Sequence, residues 1–571
     1  MGIQTSQPHQ PEGLPAFDSL GSSLISSPGL ILLGIVGLLG LLYAFDGLQN
    51  GKQPLASARF GGKQEKRTAR CKAMAQMQAR QHNQVALYIG TPQDASDPRP
   101  LYLPDVQRGV AVIGGPGSGK TYSVIDPLIR SALEQGFPVI QYDFKYPTQT
   151  ARHAAYAAHL GYEVHVFAPG FPESAVCNPL DFLRDDSDVG TARQFAEVMN
   201  KNFRLLSQAG DDRFFDAAGD QLTEAVLALA KSTAYPDIMM AQAFLALTNL
   251  GERVAAAREM NPWVRKSFDQ LVSVKDSEKT QAGIIGSASE VFSRFMKPDV
   301  LGAFCGNTTL PLDLEGRTLL IFGMDRERRD VIGPLVAGIL HTIISRNVSR
   351  KRRDPLVVAI DELPTLYLPA LVQWINENRE DGLALILGFQ NLAQLEKGYS
   401  REVARAILGA CATKAIFNPQ EQDSAHLFSQ YLGQEEIQNQ RRSRSRGKGG
   451  TSVSTSEDRQ TRPLLESSQF LKLKTGQCVL INPNFSNRQE AYLPLRQHLH
   501  IPKTDLHKAE RSQSLWEKVQ SRLAARSPKE PPSVADLEQR TEVAEALLPE
   551  PAEPAQSDEF DQISNRLKAM L

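Results

Sequence analysis

The sequence predicts an α/β core interrupted by an inserted all-α domain and preceded by one amino-terminal transmembrane helix. Three observations predict it. A short apolar, β-branched run ends in a glycine-rich loop and passes into a helix-patterned segment. Roughly 110 residues of helical periodicity then separate two stretches of strand patterning. An uncharged apolar run lies near the amino terminus.

The loop lies within Val112-Ile113-Gly114-Gly115-Pro116-Gly117-Ser118-Gly119-Lys120-Thr121 and fits G-x-x-x-x-G-K-[ST] at Gly114, Gly119, Lys120 and Thr121. Before it, Gly109 to Ile113 reads as a buried strand; after it, Val124, Ile125, Leu128 and Ile129 fall at helical spacing. In a strand–loop–helix setting the glycines turn backbone N–H groups onto phosphate oxygens, aided by the positive end of the helix. Residues Gly114 to Thr121 are therefore the expected nucleotide-binding loop. Lys120 is expected to neutralise β- and γ-phosphate charge, and Thr121 to place its hydroxyl on Mg²⁺ beside ATP.

A phosphate loop needs a partner carboxylate. Leu356 to Ile360 is a second buried-strand pattern, and it ends in Asp361-Glu362. On a strand beside the loop strand, Asp361 would hold the metal shell and Glu362 would polarise the attacking water. A third strand pattern, Leu383 to Leu387, leads to Gln390. That residue fits a sensor of the γ-phosphate or of water, and equally a polar strand cap. Three strand ends around one phosphate site point to an NTPase, with Lys120, Glu362 and Gln390 as its catalytic candidates and Thr121 and Asp361 as its metal candidates.

The chain has 571 residues and a net charge of −1, so overall charge neither supports nor excludes a nucleic-acid partner. Its five cysteines are far apart and show no C-x-x-C pairing, which excludes a disulfide framework or a zinc site by spacing.

From Leu24 to Phe45 the chain carries no charge. As a helix this run would reach about 33 Å, enough for a bilayer core of about 30 Å. A cleaved leader would want a basic start, yet residues 1–23 contain Glu12 and Asp18 and no Lys or Arg. Between Gly47 and Gln81 stand eight basic residues against the single acid Glu65. The positive-inside rule then puts residues 1–23 outside and everything after residue 45 in the cytoplasm, as a single-pass protein of the bacterial inner membrane.

Lys120 and Asp361 lie 241 positions apart, too far for a minimal nucleotide-binding core. Strand patterns ending near Asp143 and in "EVHVF" follow the loop helix, and helical patterning fills residues 184–297. The expected organisation is a basic juxtamembrane segment at 46–100, a nucleotide-binding domain in two parts at 101–183 and 298–503, and an inserted helical domain at 184–297. Residues 504–571 form the remainder. From Pro528 onward there are ten acids and four bases amid Pro and Ala, the composition of a disordered acidic tail. Its last segment, with Phe560, Ile563, Leu567 and Leu571 on one potential helix face, is either a partner-docking helix or an inert end.

With these elements in place, the chain resembles the type IV coupling proteins, the TraG/TraD-like ATPases of conjugation and type IV secretion. The matching stretches run in family order: "IGGPGSGKT", "YDFKYP", "NPLDFL", "RFFDAAGDQL", "AIDEL", "GFQNLAQLEKGY", "IFNPQEQDSAHLFSQYLG" and "RPLLESSQFLKLKTGQCVLI", behind the membrane run. The resemblance implies a RecA-like P-loop core, a hexameric ring, and delivery of a relaxase-bound single strand of DNA, or of effector proteins, to a secretion channel. The chain departs from the family in showing one membrane run where many members have two. "YDFKYP" also differs from the commoner Asp-Pro-Lys-Gly-Glu, although Asp143 and Lys145 match by position. For a trans-acting arginine finger the stretch near Arg401, Arg405 and Lys414 offers no clear match.

Support for nucleic acid within the residues is local. "QRRSRSRGKGG", from Gln440 to Gly450, reads as a Ser/Gly-rich loop with Arg441, Arg442, Arg444, Arg446 and Lys448, suited to phosphate contact or to plain solvation. The expected function is a membrane-anchored ATPase that drives DNA, with its relaxase, into a type IV channel. A membrane-tethered double-stranded DNA translocase and a nucleotide-regulated docking platform are the alternatives. The acidic, Pro-rich end disfavours the translocase, which would want a winged-helix DNA reader there.

Overall fold

The computed structural model describes residues 56–90, 100–207, 213–447, 450–526 and 530–551. The expected membrane run at 24–45, the first part of the basic stretch and the terminal segment 560–571 lie outside the described residues.

The described chain forms two units, one of them the large compact body of residues 58–433 and 463 onward. At the centre of that body is a nine-stranded sheet. Its strands are β3 (Val110–Ile113), β4 (Val139–Asp143), β5 (Glu163–Phe167), β6 (Thr318–Gly323), β7 (Leu356–Ile360), β8 (Leu383–Phe389), β9 (Thr413–Ile416), β12 (Gln477–Ile481) and β13 (Leu495–His498). They lie in the order β13-β12-β9-β3-β8-β7-β4-β6-β5. The run from β9 to β5 is parallel throughout, while β12 and β13 add an antiparallel edge. A short separate pair, β1 (Leu87–Ile89) and β2 (Leu101–Leu103), is antiparallel. β3, β4, β7 and β8 are buried along their whole length, as parallel strands covered on both faces must be. Apart from Gln141, Tyr142 and Asp143 in β4, their composition is apolar, as that burial requires.

Between β5 and β6 the chain is helical, with long helices Val189–Ser207, Arg213–Lys231 and Glu278–Phe295 joined by shorter ones. Their apolar faces run into the same hydrophobic core as one face of the sheet. Helix Arg329–Val348, between β6 and β7, is long and apolar enough to cross a membrane, but 83% of its apolar window is buried inside the protein. It is the core helix on which Val189–Ser207 packs. Gly338 makes the approach possible, since a Cβ there would stand 2.7 Å from the Phe195 ring.

Two sequence expectations do not hold. The reading of residues 504–571 as a disordered tail fails for the described part, which forms helices Lys503–Ser514, Trp516–Arg526 and Val534–Leu547. Specific polar contacts hold this arm in place despite its composition. Arg130 and Asp505 form a buried ion pair at 3.3 Å, Lys508 reaches Glu134 at 3.0 Å, and Ser512 Oγ donates to Ala151 O at 2.9 Å. The buried Trp516 meets the Tyr146 ring edge-on. Further on, Arg540 inserts between Asp237 and the Tyr235 ring of the helical domain, while Arg253 Nη1 donates to Leu548 O at 2.7 Å. The arm thus spans both the α/β core and the helical insert.

The arginine-rich stretch, read as a loop, forms instead strand β10 (Gln434–Gly447), which pairs with β11 (Gly450–Pro463) in the second unit. Its alternating Arg-Ser pattern and the Thr/Val content of the return strand fit an extended ladder better than a loop.

Removing the Arg540 side chain leaves Asp237 buried without its charge partner. Arg540→Ala should therefore cost roughly 3 kcal/mol of local stability. A lowered Tm and faster proteolysis of the arm would report it, with Asp237→Asn/Arg540→Ala less damaged than the single change.

Candidate nucleotide site

The sheet order decides the site. β8 lies between β3 and β7, so the Asp361 strand is one position further from the loop strand than the sequence reading assumed. In parallel register, Ile113 stands beside Phe389 and Ile360 beside Leu387. The intervening strand brings Gln390 to the Glu362 carboxylate.

The loop wraps the amino end of a helix whose first turn is wide: Asp126 N–H bonds back to Thr121 O before the ordinary helix Asp126–Glu134 begins. Its base is pinned by Gly114 N to Phe389 O at 3.1 Å and Gly115 N to Asn418 O at 2.8 Å. Gly117 and Gly119 take φ of +74° and +95°, the left-handed region that favours glycine. Gly476 N is only 3.0 Å from where a Cβ on Gly119 would sit.

The predicted residues come together. Lys120 Nζ is 3.6 Å from Glu362 Oε2, and Gln390 Nε2 donates to Glu362 Oε1 at 3.2 Å. Thr121 Oγ1 donates to Asp361 Oδ2 at 2.7 Å. Asp361 Oδ1 is buried and has no hydrogen-bond partner among the described residues. A hydroxyl oxygen beside a buried carboxylate with a free oxygen is the donor set a Mg²⁺ shell requires, so the residues fit that ion. Burial pushes the Asp361 carboxyl up to about 6, with Asp126 and Glu362 adding to the rise and Lys120 and Thr121 opposing it.

Other candidates are placed elsewhere. Asp143 is buried at the end of β4, where it accepts hydrogen bonds from the backbone N–H groups of Lys145, Gln149 and Thr150 and from the Thr150 hydroxyl. It organises the start of helix Thr148–His159, while Lys145 is exposed. Lys414 is buried, donates to Cys411 O and lies over the Tyr431 ring. Arg401 and Arg405 sit on the exposed face of helix Arg401–Ala410.

Three supports of the loop escaped the sequence reading. Gln420 Nε2 donates to Pro116 O at 2.9 Å, Thr475 Oγ1 donates to Gly117 O at 3.0 Å, and Gly476 N donates to Ser118 O at 2.9 Å. They lie 300 or more positions away in sequence, inside "NPQE" and "KTGQ". Only the unusual left-handed φ of Gln420 and Gly476 marks them, and that is a property of the fold.

A family model for the type IV secretion-system coupling protein DNA-binding domain matches residues 99–488. The chain belongs to this family. Among curated relatives it is 26% identical over 297 residues to the conjugal transfer protein TraG of Rhizobium radiobacter, covering 50% of this chain and 46% of that protein. The chain thus spans under half the length of this relative. Among solved structures it is similar to the plasmid coupling protein TrwB in complex with the non-hydrolysable GTP analogue GDPNP, with a TM-score of 0.52 at 15% identity, covering 79% of this chain and 96% of that one. A second is TrwB in complex with ADP and Mg²⁺, with a TM-score of 0.50 at 14% identity, covering 69% and 86%. At these identities the likeness is one of fold.

A raised Asp361 has a measurable consequence. Mg²⁺ ligation by Asp361 would need the carboxylate, so protons would compete with the ion once pH falls below about 6. Apparent Mg²⁺ affinity, titrated through binding of a fluorescent nucleotide, should be flat from pH 8 to 7 and fall about tenfold per unit below pH 6. In Asp361→Asn that pH dependence should vanish.

Proposed function

We propose that this coupling-protein chain is an ATP- and Mg²⁺-dependent ATPase that drives DNA, as a relaxase-bound single strand, into a type IV secretion channel. The observation that carries the reading is the cluster of Lys120, Glu362 and Gln390, in which a water-activating carboxylate is already oriented by two of its functional neighbours. Bound Mg²⁺ would neutralise phosphate charge at the site. Thr121 and Asp361 are its ligands in this reading.

The steps belong to the chain's own groups. Lys120 turns from Glu362 to the incoming γ-phosphate, which frees one carboxylate oxygen. Glu362 then accepts a proton from the attacking water, and the Gln390 amide holds that carboxylate while registering whether the γ-phosphate is present. The backbone N–H groups of Gly117 to Thr121 line the phosphate cradle, and the distant supports Gln420, Thr475 and Gly476 keep it from collapsing between turnovers.

Nucleotide is supported by the loop's geometry and by the ADP–Mg²⁺ and GDPNP complexes of TrwB. DNA and the secretion channel are supported by the family description and by the conjugal role printed for the TraG relative. Inner-membrane anchoring through residues 24–45, a cytoplasmic motor and a homo-hexameric ring complete the proposal; their support is the uncharged run, the basic stretch behind it and the family.

Hydrolysis by the full-length, detergent-extracted protein tests the reading, with and without single-stranded DNA. Lys120→Ala should abolish turnover. Glu362→Gln should keep nucleotide affinity and lose about 10²- to 10⁴-fold in kcat. Stimulation by DNA that disappears in Lys120→Ala supports the motor. Unchanged turnover in Glu362→Gln removes the general base from the mechanism, and an assembled wild-type protein that hydrolyses nothing points to a docking platform instead.

A further inference from the structure

The chain leaves the nucleotide site directly after Glu362 as the loop 363–368, which is held by Tyr142, Asn202 and Tyr399 and by Arg329 Nη2 donating to Thr365 O at 3.4 Å. At its start, the Thr365 N–H and hydroxyl both bond to Glu362 O, at 3.1 and 2.6 Å. The same hydroxyl shares a 3.1 Å hydrogen bond with Tyr142 OH, buried on β4. At its end, Tyr399 OH accepts from Leu368 N at 3.1 Å and donates to Leu366 O at 2.9 Å. Tyr399 closes the helix Leu392–Tyr399 that follows Gln390.

Between these points the loop is gripped from the inserted helical domain. Tyr367 N donates to Asn202 Oδ1 at 2.8 Å, and Asn202 Nδ2 donates to Tyr367 O at 2.8 Å. Asn202 lies on helix Val189–Ser207 and is 1% exposed; its second amide hydrogen goes to Val198 O at 2.8 Å. The neighbouring Lys201 ammonium stands 5.5 Å from the centre of the Tyr367 ring. A primary amide offers a neutral acceptor and two neutral donor hydrogens side by side, so it can satisfy both backbone groups of Tyr367 and Val198 O as well; a carboxylate has no donor, an ammonium no acceptor, and a hydroxyl only one hydrogen to give.

We infer that Asn202 is a positioning residue for Glu362, clasping the loop that carries it and tying the geometry of the hydrolytic site to the inserted helical domain. The inference rests on the hydrolytic reading above. The Glu362 carboxylate is set by Lys120 and Gln390, but its backbone is set by a turn whose far side moves with Asn202. A displacement of the insert, as when it engages cargo, is thereby passed to the water-activating group through two hydrogen bonds and a single turn. Loosening that turn misplaces the base without touching the phosphate cradle, which is built from other elements.

The test is steady-state hydrolysis by full-length wild-type protein and by Asn202→Ala, Asn202→Asp and Tyr399→Phe, with nucleotide affinity measured in parallel. Asn202→Ala should lose about 10- to 100-fold in kcat, the scale of a small misplacement of a catalytic group. KM and nucleotide affinity should stay within about twofold, since the cradle is intact. Asn202→Asp keeps the acceptor for Tyr367 N–H but sets a buried carboxylate against the Tyr367 and Val198 carbonyls, so it should lose at least as much kcat as Asn202→Ala. If Asn202→Ala does not fold, Tyr399→Phe releases the same loop from its other end and should show the same split. Wild-type-like kcat in the folded variants, or kcat and affinity falling together, overturns the inference while the hydrolytic reading stands. A wild-type protein that hydrolyses nothing defeats both.

Discussion

The parallel register of β8 between β3 and β7 is the constraint on which the rest of the molecule depends. It sets three strand ends side by side, so that residues from positions 113–121, 360–362 and 389–390 meet at one place. The backbone bond from Gly114 N to Phe389 O joins the first of these ends to the last. From there Lys120, Glu362 and Gln390 come within reach of one another, and Thr121 comes within hydrogen-bond distance of Asp361. A different neighbour for β3 would leave each group intact and the cluster dispersed.

The cost of such a site is exposed backbone and concentrated charge, and the fold offsets both with long-range polar contacts. Gln420, Thr475 and Gly476 satisfy loop carbonyls that would otherwise be bare. Asp126, buried below the loop helix, is matched by Arg152 at 2.7 Å and by the Gln149 amide at 2.8 Å. His153 lies in the same cluster, and burial lowers its pKa to about 3, keeping it neutral, so the cation paired with Asp126 is Arg152 rather than the imidazole. The carboxy-terminal arm repeats the pattern at larger scale. Asp505 neutralises Arg130 on the loop helix, and Arg540 neutralises Asp237 on the insert, so one arm is bonded to both parts of the protein.

Much of the candidate site is legible in the sequence. Gly114 to Thr121, Asp361, Glu362 and Gln390 announce themselves because each sits within a few residues of a buried strand pattern, and phosphate chemistry restricts what can stand there. The helical insert was legible for a similar local reason, its 3.6-residue periodicity. What failed was composition used as a guide to order. The Pro- and Glu-rich arm reads as disordered because few of its residues are apolar, yet Trp516, Leu523, Ala544 and Leu548 are buried and its charges find partners on distant helices. The arginine-rich stretch reads as a loop because it is polar, yet a two-residue alternation suffices for a strand.

By itself the sequence determined the local chemistry: a phosphate loop, an acidic strand end, a polar third strand end and an uncharged run long enough to span a bilayer. Each is encoded in a window of some twenty residues or fewer, through backbone freedom, side-chain period and charge. The tertiary structure alone decided that β8 separates β3 from β7, that Gln420 and Thr475 brace the loop, that Asn202 grips Tyr367, and that the arm spans core and insert. Those facts join positions from about 165 to more than 350 residues apart. Pairing at that separation depends on which surfaces meet once the sheet is assembled, and no local pattern of residues carries that information.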